Sequence, residues 1–347
     1  MQAAIFEGPG NLVLKNDHPR PILRRSDQAM IRVTGVGVCG TDLHILQEPP
    51  AHPARKGIVL GHEFTGVIEE LGSDVQGFEV GESVLIDPHP GCGFCAECRR
   101  ARPDQCITLY STSGEEGHPD TVGIFSDGAM GEYTLVPRQS LYKVDSAVPS
   151  HIAALAEPLA CVVNATDKLK PQPGEYAVIL GAGPIGLLFA SLLKAGGVSK
   201  LLVSEPSEYR RKAAESIGVD VVVHPDDLLD AVQREMPQGP DIAVEAVGPL
   251  LPQVIRMVRP GGRVMQFGHD ETVNPEIPVG EMLKKEVVIY GAFIGRFSFE
   301  KAARIMESGK LPLETIVSHT MPLSKVHEAL DMLRAGQALK VILQPGS

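Results

Sequence analysis

Tyr176-Ala177-Val178-Ile179-Leu180-Gly181-Ala182-Gly183-Pro184-Ile185-Gly186 is an apolar run that meets a glycine-rich turn, and its reading decides the fold. Near-continuous apolar character over Tyr176–Leu180 predicts a buried strand, and the spacing over Ile185–Lys194 predicts a helix. The turn between them has the form G-x-G-x-x-G. Glycine-rich turns are common, and it is the strand before and the helix after that give this one force. Gly181 makes the turn, Gly183 admits backbone close to a pyrophosphate, and Gly186 lets helix pack on strand. The helix start at Pro184 and Ile185 then offers free N–H groups and a partial positive charge to phosphates. The uncharged stretch Tyr176–Leu193 has the length of a membrane span, but the cluster of Gly181, Gly183, Pro184 and Gly186 near its start argues for strand, turn and helix instead.

The pattern continues outward. Strands are expected at Lys200–Ser204, Val221–Val223, Ile242–Glu245, Arg263–Phe267 and Glu286–Tyr290. Helical segments lie between most of them, at Glu208–Ile217, Asp227–Arg234 and Leu250–Val258; Val279–Lys285 is too short to assign. Apolar strands alternating with helices predict a parallel, doubly wound α/β sheet that binds a dinucleotide. Glu205, where the second strand ends, stands about twenty residues after the last glycine, in position to accept hydrogen bonds from ribose hydroxyls and repel a 2′-phosphate. NAD is therefore expected over NADP. Arg210 and Arg211 pull the other way, since a guanidinium can accommodate that phosphate; a solvated helix face is the preferred reading of the pair. Val247, Phe267 and Gly268, at the ends of later strands, join Arg210 among the expected cofactor contacts.

The first 150 residues are of a different texture. Short β-branched runs recur at Ala29–Val33, Gly66–Glu70 and Ser83–Ile86, separated by Gly, Pro and Asp clusters. Helical spacing begins at Ile152–Leu169, and after Tyr290 come amphipathic stretches Phe299–Glu307 and Ser324–Ala335 and a last strand Leu339–Leu343. The chain has 347 residues, 43% of them apolar, enough for two cores, and with no Trp and 5% aromatics these are expected to be aliphatic. A net charge of −11 without a block of Lys or Arg excludes nucleic acid and anionic membrane as expected partners. The N-terminus has neither a basic nor an apolar signal region, so a cytoplasmic protein is expected.

Four of six cysteines fall in one run, Cys92, Cys95, Cys98 and Cys106, spaced C-x2-C-x2-C-x7-C. Four thiolates so close can occupy every vertex of a tetrahedral Zn²⁺, a closed structural site. Disulfides would need an oxidising compartment. Three other segments carry candidate ligands: Cys39 in Val38–His44, His62 and Glu63, and Glu157 in Ala156–Leu159. Each has a plainer reading alone, as a buried thiol, a hydrogen-bonded histidine or a helix start.

In combination, GHEFTGVI, CGTDLH, the GCGFCAECRR lobe and GAGPIG resemble zinc-dependent medium-chain dehydrogenases, and EPLAC resembles their polyol branch, typified by sorbitol and threonine dehydrogenases. The resemblance spans nearly the whole chain. It implies a GroES-like catalytic domain over residues 1–153 and 288–347, with a zinc lobe at 88–107, and a Rossmann domain over 154–287. It implies two zinc ions per chain, one structural and one catalytic. Cys39 and His62 would hold the catalytic ion, with Glu63 or Glu157 as third ligand; sequence does not choose between them. Asp42 would orient His62. Cys161, one turn beyond Glu157, is expected to be a core residue.

An open zinc site lowers the pKa of a bound alcohol oxygen from about 16 toward 7. That is about 12 kcal/mol at 1.36 kcal/mol per unit, enough to dominate the barrier to hydride loss. Thr41 and His44 would relay the proton to solvent, as the family implies. The three formal negative charges of Cys39, Glu63 and Glu157 are a further reason to expect a cation. The expected substrate is a polyol, cyclitol or sugar-derived secondary alcohol, met in part by the polar loop Tyr110–Tyr133 with His118. The alternatives are an amino alcohol such as L-threonine or a non-catalytic dinucleotide-binding redox sensor. A homodimer or homotetramer is expected through the strand Glu286–Phe293.

Overall fold

The computed structural model describes every residue except Glu116, Glu271 and Ser347. It divides into two units. One comprises Met1–Ala160, Ile294–Gly309 and Val317–Ser347, and the other Cys161–Phe293 with Lys310–Ile316.

The first unit opens with an antiparallel pair, β1 (Ala3–Gly8) and β2 (Asn11–Lys15). Its main sheet uses β3 (Gln28–Gly37), β4 (Glu63–Leu71), β5 (Ser83–Ile86), β6 (Tyr133–Pro137) and β7 (Leu141–Lys143). In β3 buried residues alternate with exposed or half-buried ones from Ile31 to Gly35, as a one-sided sheet requires, while both ends of the strand are buried almost throughout. The strand is ten residues long, and β4 runs antiparallel along one edge. The register sets Gly37, the last residue of β3, opposite Glu63, the first of β4. That pairing brings Cys39 and His62 to the same end of the sheet.

The second unit is built on β8 (Tyr176–Leu180), β9 (Lys200–Ser204), β10 (Val221–Val223), β11 (Ile242–Glu245), β12 (Arg263–Gln266) and β13 (Val288–Gly291). They form one sheet in the order β10-β9-β8-β11-β12-β13, with every pair parallel. This is the doubly wound order, with its switch between β8 and β11. A core of Val178, Leu180, Leu202, Ala243, Val254 and Val264 packs against it, aliphatic as composition required. The chain then returns through β14 (Val317–Pro322) and β15 (Lys340–Gln344), completing the first sheet as β14-β15-β3-β4-β5-β7 with β6 also on β3.

Three expectations are corrected. The stretch Ile152–Leu169 is not one helix but two, Ser150–Ala153 and Ala156–Leu169. Pro158 has no N–H to give the carbonyl of Ala154 and its ring crowds that carbonyl, so the helix restarts. The last parallel strand begins at Val288, because Glu286 caps the helix Val279–Lys285 in the left-handed region with φ 52°. Since β13 pairs with β12, its residues go with the doubly wound unit and the return to the first unit comes at Ile294, not at residue 288.

Candidate active site

The exit of β3 and the entry of β4 bring together ligand atoms of Cys39, His62 and Glu63, all within 4.8 Å of one another. His62 and Glu63 are buried at 5% and 2% exposure, in a sheet interior that otherwise holds Val36, Phe64 and Ile342. Gly37 is required here: a Cβ on it would lie 2.5 Å from Glu63 Oε2 and push the carboxylate out of line.

Sequence reasoning missed Lys340. Fully buried at the start of β15, it donates from Nζ to Glu63 Oε2 at 2.5 Å and to the Val38 carbonyl at 3.3 Å. Burial opposes both charges, yet each raises the other's: Lys340, with His62, holds the Glu63 carboxyl below its usual range, and Glu63 with Cys39 holds Lys340 above its own. The two residues are 277 positions apart in sequence, and the only local signal is a lysine inside an apolar terminal strand.

Asp42 also differs from expectation. Its Oδ2 accepts the Cys39 N–H at 2.9 Å, closing the first turn of the helix Gly40–Ile45. Its Oδ1 faces His62 Nδ1 at 3.9 Å, an ion-pair distance and not a hydrogen bond, and both atoms are buried without a hydrogen-bond partner. Burial works against a charge on His62, but the surrounding Cys39, Asp42 and Glu63 anions lift it to about 10. A pocket that draws positive charge this strongly fits a divalent cation.

Thr41 Oγ1 lies 3.6 Å from Cys39 Sγ, and His44 is exposed one turn further along the same helix. Glu157 is buried in the first turn of Ala156–Leu169 and stands outside the Cys39–His62–Glu63 group; Cys161 is buried as a small core residue would be. His118 packs edge-on against His52, ring centroids 4.8 Å apart, and belongs to no ligand group among the described residues. Two residues beyond β5 were unforeseen. Asp87 is pushed up to about 7 by burial and the Glu157 carboxylate, and His89 is pulled down to about 3 by burial and His62.

In the cysteine lobe the sulfurs of Cys92, Cys95, Cys98 and Cys106 also lie within 4.8 Å of one another, with all four thiols free of disulfides. Cys92–Cys98 and Cys95–Cys106 sulfur separations are both 3.9 Å. A tetrahedron with metal–sulfur distances of about 2.3 Å has edges of about 3.8 Å. The N–H groups of Cys95, Cys98 and Cys92 point at the sulfurs of Cys92, Cys95 and Cys106, as they would toward thiolates. The donors fit zinc.

At the glycine turn, Gly181 has φ +99°, and a Cβ on Gly186 would lie 1.9 Å from the Gly181 carbonyl, so helix and turn meet backbone to backbone. Space beside Gly183 is open except for Arg210 Nη1 at 4.0 Å. Both arginines are half-exposed on a solvated helix start, with Arg210 directed toward the turn and Arg211 donating to the carbonyls of Glu205 and Pro206. Glu205 is buried at 3% exposure, and its carboxylate accepts the N–H groups of Ala182 and Ser207 at 2.7 and 3.0 Å. It braces the glycine turn from below, a task the sequence did not suggest. No helix among the described residues is long and apolar enough to cross a membrane.

Residues 25–146 match the alcohol dehydrogenase GroES-like domain, and residues 184–308 match the zinc-binding dehydrogenase domain. The L-threonine 3-dehydrogenase of Pyrococcus horikoshii is 33% identical over 96% of this chain and 95% of its own. The sorbitol dehydrogenase of Bombyx mori is 29% identical over 98% and 97%. Among solved structures, a protein of Sinorhizobium meliloti 1021 described as a zinc-binding dehydrogenase, bound to NADP, superposes with TM-score 0.89 at 29% identity, covering 99% of each chain. An alcohol dehydrogenase of Escherichia coli CFT073 with NADH superposes with TM-score 0.88 at 26% identity, again over 99% of each.

Proposed function

Because this chain belongs to the zinc-dependent medium-chain alcohol dehydrogenase family, we propose that it oxidises a polyol, cyclitol or sugar-derived secondary alcohol to a ketone. The observation that carries this reading is the meeting of Cys39, His62 and Glu63 within 4.8 Å in a pocket that favours positive charge. Cys39 and His62 would hold a zinc ion with Glu63 as the third group, and the four lobe cysteines would hold a second. A zinc ion held there would supply Lewis acidity toward the substrate hydroxyl, and the nicotinamide of a bound dinucleotide would be the hydride acceptor. Thr41 takes the hydroxyl proton and the exposed His44 passes it to water. Glu157, outside the ligand group, is left to receive a neighbouring substrate hydroxyl.

NAD is the proposed cofactor, on the strength of the Glu205 carboxylate beside the glycine turn; Arg210 is the residue that would soften the preference. The chain is proposed to form homo-oligomers through the edge strand β13, where Val288 is 44% exposed.

Metal analysis and a substrate screen test the proposal together. Two zinc ions per chain and reduction of NAD by polyols are expected. One zinc per chain, or no turnover with any alcohol, would sink it. Oxidation of L-threonine in preference to every polyol would replace the substrate by an amino alcohol, in keeping with the name of the Pyrococcus relative.

A further inference from the structure

The doubly wound unit carries a buried acidic side chain that no cation among the described residues faces. Glu245 ends β11 at 0% exposure, and among the described residues neutral groups alone hold its carboxylate. Val247 N–H donates to Oε1 at 3.0 Å, and Gly248 N–H is shared between Oε1 and Oε2 at 2.7 and 2.9 Å. Gln266 Nε2 donates to Oε2 at 2.7 Å. That amide is fixed the same way round by two further acceptors, the carbonyls of Gly248 and Gly268. Every partner of the carboxyl group among the described residues is a neutral donor, an arrangement that suits a carboxylate.

Its position gives the charge a use. The Glu245 carbonyl accepts the N–H groups of Phe267 and Gly268 at 2.9 and 2.8 Å, so this one residue ties the turn after β11 to the turn after β12. The two turns touch: a Cβ on Gly268 would lie 2.3 Å from the Gly248 nitrogen. In a doubly wound sheet the dinucleotide lies across the carboxyl ends of the strands, one mononucleotide on each side of the switch. Glu205 and the β8–β9 side take the adenosine, which leaves the ends of β11 and β12 to the nicotinamide. The oxidised nicotinamide ring carries a positive charge and the reduced ring is neutral. A fixed anion beneath that site, shielded from water, discriminates between them.

We propose that the buried carboxylate of Glu245 sets the redox preference of the bound cofactor, favouring the oxidised, cationic nicotinamide over the reduced, neutral one. This rests on the dinucleotide reading of the same site given above.

The test titrates the zinc-loaded full chain separately with NAD⁺ and NADH, without alcohol, by calorimetry. Glu245→Gln is expected to raise the ratio of the NAD⁺ to the NADH dissociation constant about tenfold. Gln266→Met, which removes one donor and leaves the charge, should keep that ratio within about twofold even if both affinities fall. Gln266→Lys sets a cation beside the carboxylate and should move the ratio in the same direction as Glu245→Gln; it carries the test if the glutamine variant does not fold. An unchanged ratio in the charge-altering variants, with both nucleotides still bound, overturns the proposal alone. A wild-type protein that binds neither nucleotide overturns the dinucleotide reading and this proposal with it.

Discussion

The four sulfurs of the lobe come from a single stretch between Cys92 and Cys106, whereas Cys39, His62 and Glu63 come from the ends of two strands and are backed by Lys340 from the far end of the chain. The lobe is half-exposed and packed around its own sulfurs, with Phe94 and Ile107 left 64% and 56% exposed on its surface. The second group sits inside a sheet whose pairing survives without it, because Val36, Phe64 and Ile342 are buried on their own account. A cation in the lobe therefore substitutes for a core, while a cation in the sheet is added to one. The two sites should fail in opposite ways.

The largest effect is expected at the sheet. Cys39→Ser should lower turnover below about one ten-thousandth of wild type, because the step worth most to the barrier is lost. Melting temperature should stay within a few degrees, and metal analysis should fall from two zinc ions to one. Loss of the fold along with activity would break the contrast.

At the lobe the loss should be structural. Cys98→Ser, or chelation of the lobe metal, takes the ion from the four-cysteine group at the centre of residues 92–106, and metal binding of this kind contributes about 10 kcal/mol to small sites. Limited proteolysis should cut within that segment while the doubly wound unit stays intact, and the zinc count should again fall by one. An uncut lobe would show that it folds without the ion.

What the sequence made legible follows the same division. The doubly wound strands were readable because each is a nearly unbroken apolar run; Tyr176–Leu180, Lys200–Ser204, Val221–Val223 and Ile242–Glu245 were read to the residue. The cysteine lobe was readable because its spacing is local. Cys39 and His62 were not joined by spacing at all, only by resemblance. Lys340 and the second role of Asp42 were invisible, since a buried charge is recognised by its partner and the register of β3, β4 and β15 supplies that partner. Pro158 was a missed local signal, overridden by the apolar spacing around it.

Thr41→Ala tests whether the proton route is as local as the helix that carries it. Turnover should fall about 10²- to 10⁴-fold with both zinc ions retained, and Thr41→Ser should restore most of it. A solvent isotope effect that vanishes in the alanine variant would separate loss of the relay from loss of packing. Near-wild-type turnover in Thr41→Ala would leave the hydroxyl as a simple helix-start residue.

The Lys340–Glu63 pair sharpens the comparison at its finest level, because the nearest counterpart in the lobe, buried Asp104 with the half-exposed Arg296 at 4.0 Å, is far looser. Removing one partner strands a buried charge: Lys340→Met should cost about 3 to 5 kcal/mol in denaturant unfolding, and Lys340→Met with Glu63→Gln should recover most of that. The pH dependence has a definite sign. Glu63 is held below its ordinary 4.5, so its contribution is present above that pH and is lost as pH falls through the lower, native value. Lys340 is held above its ordinary 10.5, so its contribution is present below that pH and is lost as pH rises past it. Wild-type stability should therefore fall away at both ends, and the double variant should be flatter at both. A double variant as unstable as the single one would mean that the lysine acts through packing, and that charge in this sheet is not what distinguishes it from the lobe.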